Sequence, residues 1–173
     1  MDVLIELAKI LLPAALVLYA MYLGVKAMIA RELSLKQMEI RQKSIEISLP
    51  ARLQAYERMC LFLERITPNN LLVRVADPSL SAPAFQQLLL KEIRDEYNHN
   101  VSQQVYMSIE VWDMVKSAKE DLILDINQSA DGLNEDATAL ELTKKVFEHV
   151  MGKGVDPIDN TLKALKAEIS QTY

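Results

Sequence analysis

The sequence has a single cysteine, Cys60, among its 173 residues, so no disulfide bond can form within one chain. This argues against a small secreted fold held together by disulfides. Cys60 lies between Met59 and Leu61 in an apolar run; Arg58 is close by, but both histidines are distant in sequence. Because reactive thiols usually have a basic or histidine partner, we interpret Cys60 as a small apolar residue rather than a nucleophile.

Glycine is also scarce, with four residues in the chain, which is too few for a turn-rich β-sandwich. Half of the residues are hydrophobic and 25% are charged, a composition typical of folded proteins. Leucine, alanine, lysine, glutamate, glutamine and methionine dominate, and these residues lose little entropy in helices. The composition therefore predicts an all-α fold, and the length suits one domain or a smaller domain with an appendage.

The sequence motifs that accompany common enzyme chemistry are missing. There is no Walker-type phosphate loop, no glycine-rich dinucleotide motif, no paired Cys-x-x-Cys and no His-Glu-x-x-His. Gly152-Lys153-Gly154 follows a helical pattern rather than a strand, so it predicts a helix C-terminus. With two histidines and one cysteine, little is available for acid–base catalysis. We therefore expect a non-enzymatic protein without a cofactor.

Charges of opposite sign are separated along the chain. From Arg31 to Arg65, seven basic residues stand against five acidic ones, whereas from Glu92 to Asp136 eleven acidic residues stand against three basic ones. Binding to nucleic acid needs clustered lysine and arginine, so the acidic distal part argues against a nucleic-acid partner. The basic stretch follows an apolar N-terminal segment, where it suits an anionic membrane surface.

A long apolar run lies near the N-terminus. The sixteen residues from Ile10 to Val25 are uncharged. If Lys9 and Lys26 extend toward the headgroups, the 24 residues from Leu7 to Ala30 form a helix about 36 Å long. A bilayer core is about 30 Å thick, so we predict a transmembrane anchor in residues 1–31. The predicted anchor side chains, which include two tyrosines suited to the interface, are Ile10, Leu11, Leu16, Val17, Leu18, Tyr19 and Tyr22.

The run has three other interpretations. A cleaved signal peptide would begin with basic residues, whereas this sequence begins with Asp2 and Glu6. A buried helix of a soluble protein is possible because the uncharged stretch is shorter than about 18 residues. An amphipathic helix lying on the membrane would need a polar face, which Ile10 to Val25 lacks. A helix that spans the bilayer fits best.

Basic residues are concentrated on the C-terminal side of the run, whereas the N-terminal side has only Lys9 and the amino terminus. They are Lys26, Arg31, Lys36, Arg41 and Lys43. Because cytoplasmic flanks of membrane helices carry an excess of lysine and arginine, we expect the N-terminus outside and the body in the cytoplasm. In a bacterial host this means the inner membrane.

Residues 32–50 continue as a juxtamembrane helix, with Glu–Lys pairs at the favourable i,i+4 spacing. Its apolar residues form two stripes on nearly opposite faces, and a helix that is apolar on two sides normally packs between neighbours. These neighbours are either other chains, including further copies of this one, or helices of the body. The predicted partner interface consists of Leu33, Ile40 and Ile47 on one stripe and Leu35, Met38 and Ile45 on the other, which also includes Leu49.

The sequence from Pro50 onward predicts a small helical bundle. Pro50 is expected to kink or restart the helix. In residues 51–66, Leu53, Tyr56, Cys60 and Leu63 have a 3-4-3 spacing, which is typical of a core-facing helix or of a coiled coil. Thr67 to Asn70 breaks the pattern, and the run from Leu71 to Val75 is too short to classify. We divide the chain into an anchor (1–31), a juxtamembrane helix (32–50), a helical core (51–130) and a C-terminal helical hairpin (131–173).

Later helices are predicted at 84–97, 101–128, 137–151 and from Pro157 onward. The expected N-terminal caps are Ser81, Asn100, the segment Asn134 to Asp136, and Asp156. The helix from Val101 has the broadest apolar face, so it is expected at the centre of the bundle. Four of its acidic residues fall away from that face and are expected to be solvated or to meet a basic partner; they are Asp113, Glu120, Asp121 and Asp125.

One pattern is compatible with metal binding. Glu96 and His99 have the i,i+3 spacing by which ferritin-like bundles hold two metals, and Glu92 lies one turn earlier. A complete site needs a second such pair, but the other histidine, His149, directly follows Glu148. We therefore treat a metal-dependent helical-bundle enzyme as the alternative and regard His99 more simply as a residue at a helix junction.

Several segments resemble one family. Asp95 to Ser108, followed by Trp112 and Val115 to Lys119, together with Leu53 to Arg58 and Leu63 to Pro68 upstream, are similar to a family of uncharacterised bacterial membrane-anchored helical proteins. The resemblance covers roughly residues 1 to 130 and leaves out the C-terminal hairpin. It implies an anchored, α-helical protein and no activity, ligand or catalytic residue.

Together these observations favour a non-enzymatic accessory or scaffold subunit of an inner-membrane assembly. The expected partners are the lipid bilayer and other subunits, further copies of the chain, or both. The alternatives are the metal-dependent enzyme and a homo-oligomeric membrane stalk.

Overall fold

The computed structural model describes residues 1–134 and 136–171, apart from the side chains of residues 2–4, 8 and 10. These residues form six α-helices, one 3-10 helix and no β-strand, which confirms the predicted all-α fold. The helices are α1 (Asp2–Ile66), α2 (Pro68–Arg74), α3 (Ala82–Asn100), the 3-10 helix (Val101–Tyr106), α4 (Ile109–Asp131), α5 (Ala139–Gly152) and α6 (Pro157–Ser170).

Two compact units make up the chain, Met1–Leu49 and Pro50–Tyr173. The first unit contains only helix from α1. Helical structure continues through Pro50, so the expected restart of the helix there is wrong. A proline inside a helix removes a backbone hydrogen bond and costs about 3 kcal/mol. Strong helix formers on both sides, such as Leu49 and Ala51, help to offset that cost.

An apolar core fills the second unit, which we call the body. The C-terminal part of α1 and all later α-helices contribute to it. Helix α4 packs against α3, α5 and α6, which agrees with its expected place at the centre. Burial of one large apolar side chain contributes about 1.5–3 kcal/mol, so the body has an independent source of stability. Its most deeply buried large side chains include Met59, Phe62, Phe85, Ile93, Ile126 and Leu165.

The core-facing side of α1 was only partly predicted. Tyr56 and Leu63 are buried as expected, but Cys60 is half-buried and Leu53 is exposed. The buried stripe is completed instead by residues of the same turns that the predicted spacing left out, namely Ala55, Met59, Phe62 and Ile66.

Helix α4 begins later than predicted. Residues 101–106 form the 3-10 helix, and α4 starts at Ile109 because the Ser108 hydroxyl accepts a hydrogen bond from the Val111 N–H at 3.2 Å. Asn100, the expected cap, instead donates its side-chain amide to the Glu96 carbonyl at 2.8 Å. The buried apolar face of α4 therefore starts later than that of the predicted helix from Val101. Trp112, Val115 and Ile126 are buried, whereas Val105 and Ile109 are exposed.

The segment between α1 and α3 contains a helix that the sequence pattern did not resolve. Residues 71–74 of the short apolar run belong to α2, which starts at Pro68 directly after Thr67. Ser81 caps α3 as predicted, since its hydroxyl accepts from the Ala84 N–H at 3.5 Å. Helix α3 extends to Asn100, beyond its predicted end at Tyr97.

The C-terminal hairpin is docked on the body. Leu142 and Val146 of α5 and Leu162 and Leu165 of α6 are buried in the common core. Asp156 caps α6 as predicted, with its carboxylate accepting from two backbone N–H groups. Between the helices the chain turns at Gly154, whose φ of 66° lies in the region that favours glycine.

Helix α5 begins at Ala139, two residues after its predicted start at 137, and its N-cap is Thr138 rather than the predicted segment Asn134 to Asp136 (Glu135 itself lies outside the described residues). Thr138 and Glu141 form a capping box, in which each side chain accepts a backbone N–H of the other. The starts of α3 and α5 are also paired. Ala82 donates to the Ala137 carbonyl at 2.8 Å, and Ala139 donates to the Leu80 carbonyl at 3.2 Å.

Candidate membrane anchor and interaction surface

The first unit exposes a continuous apolar segment. Within the helical region Ile5–Ile66, an 18-residue window has a mean hydropathy of 1.8, and none of that window is buried among the described residues. This helix is long and apolar enough to span a membrane. In water such a surface is unfavourable by about 25 cal/mol per Å² of apolar area, so a covering environment is required.

The predicted anchor residues lie around the whole helix. Leu16, Val17, Leu18 and Tyr19 are consecutive and all exposed, and four consecutive residues cover about 300° of a helix circumference. Leu11 and Tyr22 are exposed as well, whereas the side chain of Ile10 lies outside the described residues. A helix that is apolar on all sides matches a lipid environment better than a water interface.

The two predicted apolar stripes of residues 32–49 are also exposed. Stripe A, consisting of Leu33, Ile40 and Ile47, includes the most exposed of these side chains, Ile47 at 80%. Stripe B consists of Leu35, Met38, Ile45 and Leu49, of which Ile45 is 48% exposed and Leu49 is half-buried.

The charged residues of the same segment are gathered on one face. By helix geometry, five of the six charged side chains from Glu32 to Glu46 fall within an arc of about 80°, and Arg41 is the exception. Lys36 pairs with Glu32 at 3.9 Å and Lys43 with Glu39 at 3.0 Å, as predicted. Exposed pairs of this kind contribute only a few tenths of a kcal/mol each. The face therefore marks the side of the helix that meets water, and most of the remaining circumference is uncharged.

The residues considered for metal binding lie on the surface of the body. The Glu96 carboxylate pairs with Arg65 at 2.6 Å, and the Glu92 carboxylate pairs with Arg74 at 2.8 Å. Arg65, Glu96 and the exposed His99 border an open cavity of about 410 Å³. Glu92 lines a neighbouring cavity with the same three residues. Guanidinium groups repel a cation and occupy the carboxylates that would bind it. Among the described residues no group of three or more histidine, cysteine or acidic side chains could hold a metal ion.

Sequence patterns gave no signal for a polar cluster around Glu168. Its carboxylate accepts hydrogen bonds from the Tyr56 hydroxyl and from the Ser108 N–H and hydroxyl, the latter two at 2.9 and 2.7 Å. Burial alone would raise the pKa of Glu168, but these hydrogen bonds and the charge of Arg52 outweigh it, so the pKa is lowered. Burial and the hydrogen bond to Glu168 raise the pKa of Tyr56. The cluster ties α6 to α1 and to the start of α4.

Asp125 is buried, contrary to the prediction from the sequence. It was expected on a solvated face, but it is 5% exposed. Lys153, just beyond α5, donates a hydrogen bond to its carboxylate, and His149 Nε2 lies 3.5 Å from the same oxygen. A buried carboxylate is unfavourable unless it is paired, so these side chains join α4 to the end of α5. Both polar clusters stabilise the body by joining helices that are distant in sequence.

Comparison with known proteins identifies a family that includes this chain. A family of unknown function, DUF7935, matches residues 2–172, which is nearly the whole chain. This agrees with the expected resemblance to an uncharacterised family, but the match also includes the C-terminal hairpin. No curated protein and no solved structure matches the chain.

Proposed function

We propose that this chain, which belongs to the family of unknown function DUF7935, serves as a non-enzymatic accessory or scaffold subunit of a membrane protein assembly. The observation that carries the proposal is the contrast between the two units. The body has a filled core, whereas the apolar side chains of the first unit are exposed on several faces. Such a helix is stable only when lipid or other protein covers it.

The distribution of basic residues supports a location in the bacterial inner membrane with the body in the cytoplasm. Lys26 and Arg31 follow the uncharged run Ile10 to Val25, whereas Lys9 is the one basic residue among residues 1–9. Lysine and arginine are retained on the cytoplasmic side during insertion. The acidic body then lies beyond the basic flank, where it is not held against anionic headgroups.

Stripe A is the surface that we assign to other subunits. It lies on the helix segment that follows the anchor, so a subunit of the same membrane can reach it. Leu33, Ile40 and Ile47 recur every seven residues, which matches the spacing at which one helix meets another. An exposed apolar stripe on a helix that also has a charged face indicates packing against protein rather than against water.

The test is co-purification from detergent with an Ile40→Asp variant. An aspartate placed in an apolar contact buries an unpaired charge, so the contact should open. We expect a protein that co-purifies with the wild-type chain in fixed stoichiometry to be lost with Ile40→Asp. The matched control is Lys36→Asp, which introduces the same side chain on the charged face and should retain that protein. Fluorescence of Trp112 reports whether the body stays folded in each variant.

The proposal fails if Ile40→Asp retains every stoichiometric partner or if the wild-type chain has none. Unfolding of the body by Ile40→Asp would also contradict it, because stripe A would then belong to the core of the chain itself.

A further inference from the structure

Stripe B has the alternating three- and four-residue spacing of a heptad repeat, whereas stripe A has only one residue in every seven. Leu35, Met38, Gln42, Ile45 and Leu49 alternate in steps of three and four residues, which is the spacing of positions a and d in a coiled coil. All of them lie in α1, and Leu35 and Met38 are exposed. We refer to these five residues as the seam.

We propose that the seam pairs with the same seam of further copies of this chain, in a parallel, in-register coiled coil that holds the anchors together in the membrane. This rests on the proposed membrane anchor, because anchored chains enter the bilayer in one direction and their helices then run parallel. Leucine at a together with isoleucine at d favours more than two strands.

The polar residue of the seam points to a copy of the same chain. Gln42 occupies an a position between Leu35 and Leu49. A polar group buried there without a partner costs about 1–3 kcal/mol, so an unrelated apolar helix is a poor match. When identical seams pair in register, each Gln42 amide meets another Gln42 amide and can form a hydrogen bond with it. Any other register places Gln42 against leucine, isoleucine or methionine.

The flanking charges favour the parallel orientation. Within residues 32–49 every e position is a glutamate, namely Glu32, Glu39 and Glu46, and the g position at 41 is an arginine. Parallel strands place g beside the next e of the neighbouring chain, which joins Arg41 to Glu46. Antiparallel strands would place glutamates beside one another. Glu32 and Glu39 already have lysine partners four residues later, whereas Pro50 stands at that spacing from Glu46.

Gly24 provides an independent observation. It lies in the membrane segment, 14 residues before Met38 and 21 before Ile45, and therefore at the d position of the same heptad. A β-carbon at this position would meet nothing within 4 Å, and the backbone φ is not positive. Neither the backbone conformation nor packing within the chain therefore requires a glycine at this position, and glycine weakens a helix. Close approach of a neighbouring membrane helix explains it.

The test is disulfide cross-linking of the full-length chain in lipid vesicles with a mild copper oxidant. Cys60 is first replaced by alanine, and single cysteines are introduced by Met38→Cys and Ile45→Cys on the seam. We expect both variants to form covalently linked pairs of chains in high yield. Ile40→Cys, on stripe A, is the matched control and should cross-link at least several-fold less. Adding Gly24→Leu to Ile45→Cys should reduce the yield several-fold, whereas Ala30→Leu, away from the seam, should not.

Cross-linking at both 38 and 45 requires parallel strands in register, because antiparallel strands would bring equivalent residues together at one point only. Equal yields at 38, 40 and 45, or no linked product, would overturn the inference. The result is separable from the proposed function. Loss of other proteins with Ile40→Asp, together with failure to cross-link at 38 and 45, would retain the scaffold role and remove self-association. Efficient cross-linking without any co-purifying protein would support self-association and contradict the scaffold role.

Discussion

The hydrogen bonds at Glu168 should make this single residue one of the main polar contributors to the stability of the body. The perturbation is Glu168→Ala. It removes the acceptor for the Tyr56 hydroxyl and for two groups of Ser108, at 2.9 and 2.7 Å. Tyr56 is 3% exposed, so water cannot readily replace the lost acceptor of its hydroxyl.

The expected loss follows from the number of bonds and from partial exposure of the carboxylate. A hydrogen bond to a charged group is worth about 1.5–3 kcal/mol, and less where water reaches the site. Because Glu168 is half-buried, we take the low end and expect Glu168→Ala to lower the free energy of unfolding by about 2–3 kcal/mol. Tyr56→Phe removes only one of the bonds and should cost about 1 kcal/mol. The double variant should cost less than the sum.

Trp112 makes the assay specific for the body. It is the only tryptophan in the chain, it is 8% exposed, and it stacks on Tyr97 at 5.6 Å between ring centroids. Urea unfolding of the full-length chain in detergent, followed by Trp112 fluorescence, therefore reports on the body. The control is Glu148→Ala, an exposed glutamate of α5, which should change stability by less than about 0.5 kcal/mol.

The pH dependence has a defined sign. The pKa of Glu168 is lowered in the folded state, so its contribution is fully present above the unfolded value of 4.5 and is lost as pH falls through the folded value. The stability difference between wild type and Glu168→Ala should therefore be constant near neutral pH and shrink in acid. If Glu168→Ala unfolds at the same urea concentration as Glu148→Ala, the cluster does not stabilise the body.

Two further predictions concern the orientation of the chain and the start of α5. A phosphatase that is active only outside the cytoplasm should be inactive when fused after Tyr173, and a fluorescent protein fused there should be bright; phosphatase activity would show the opposite orientation. Thr138→Ala removes the hydroxyl that accepts from Glu141 N–H at 3.4 Å, so unfolding free energy should fall by about 1 kcal/mol in the Trp112 assay, and an unchanged midpoint would contradict the capping role.

The N-terminus of a helix could be predicted where a capping residue was followed by a proline in the first turn. Ser81 and Asp156 each precede a proline in the first turn, and both caps are present in the structure. At the start of α4 the sequence offered two residues of the types preferred as N-caps, Asn100 and Ser108. Local chemistry does not distinguish the two. The choice depends on Glu168, 60 residues away in sequence, which binds Ser108.

Buried charges were beyond the reach of sequence patterns for a related reason. Asp125 lies on the border of the apolar face of α4, and its partner Lys153 is 28 residues away. Tyr56 and Glu168 are 112 residues apart. Whether such a carboxylate is solvated or paired depends on which helices become neighbours, and periodicity does not contain that information.

Periodicity alone also does not distinguish a buried apolar helix face from an exposed one. Tyr56, Met59, Leu63 and Ile66 have steps of three, four and three residues and are buried in the body. Leu35, Met38, Gln42 and Ile45 have the same steps, yet the apolar members are exposed. The spacing predicts that a helix face will be covered. It does not say whether the same chain or another one covers it.

The paired starts of α3 and α5 have a consequence for how the body can be divided. Ala82 and Ala139 each donate a backbone hydrogen bond to the segment that precedes the other helix. Removing the hairpin after residue 130 would therefore leave a donor and an acceptor at the start of α3 without their partners, in addition to uncovering α4. Opening either helix start disturbs the other, so the hairpin and α3 should behave as one cooperative folding unit. The C-terminal hairpin is thus an integral part of the body, and a stable fragment should retain it.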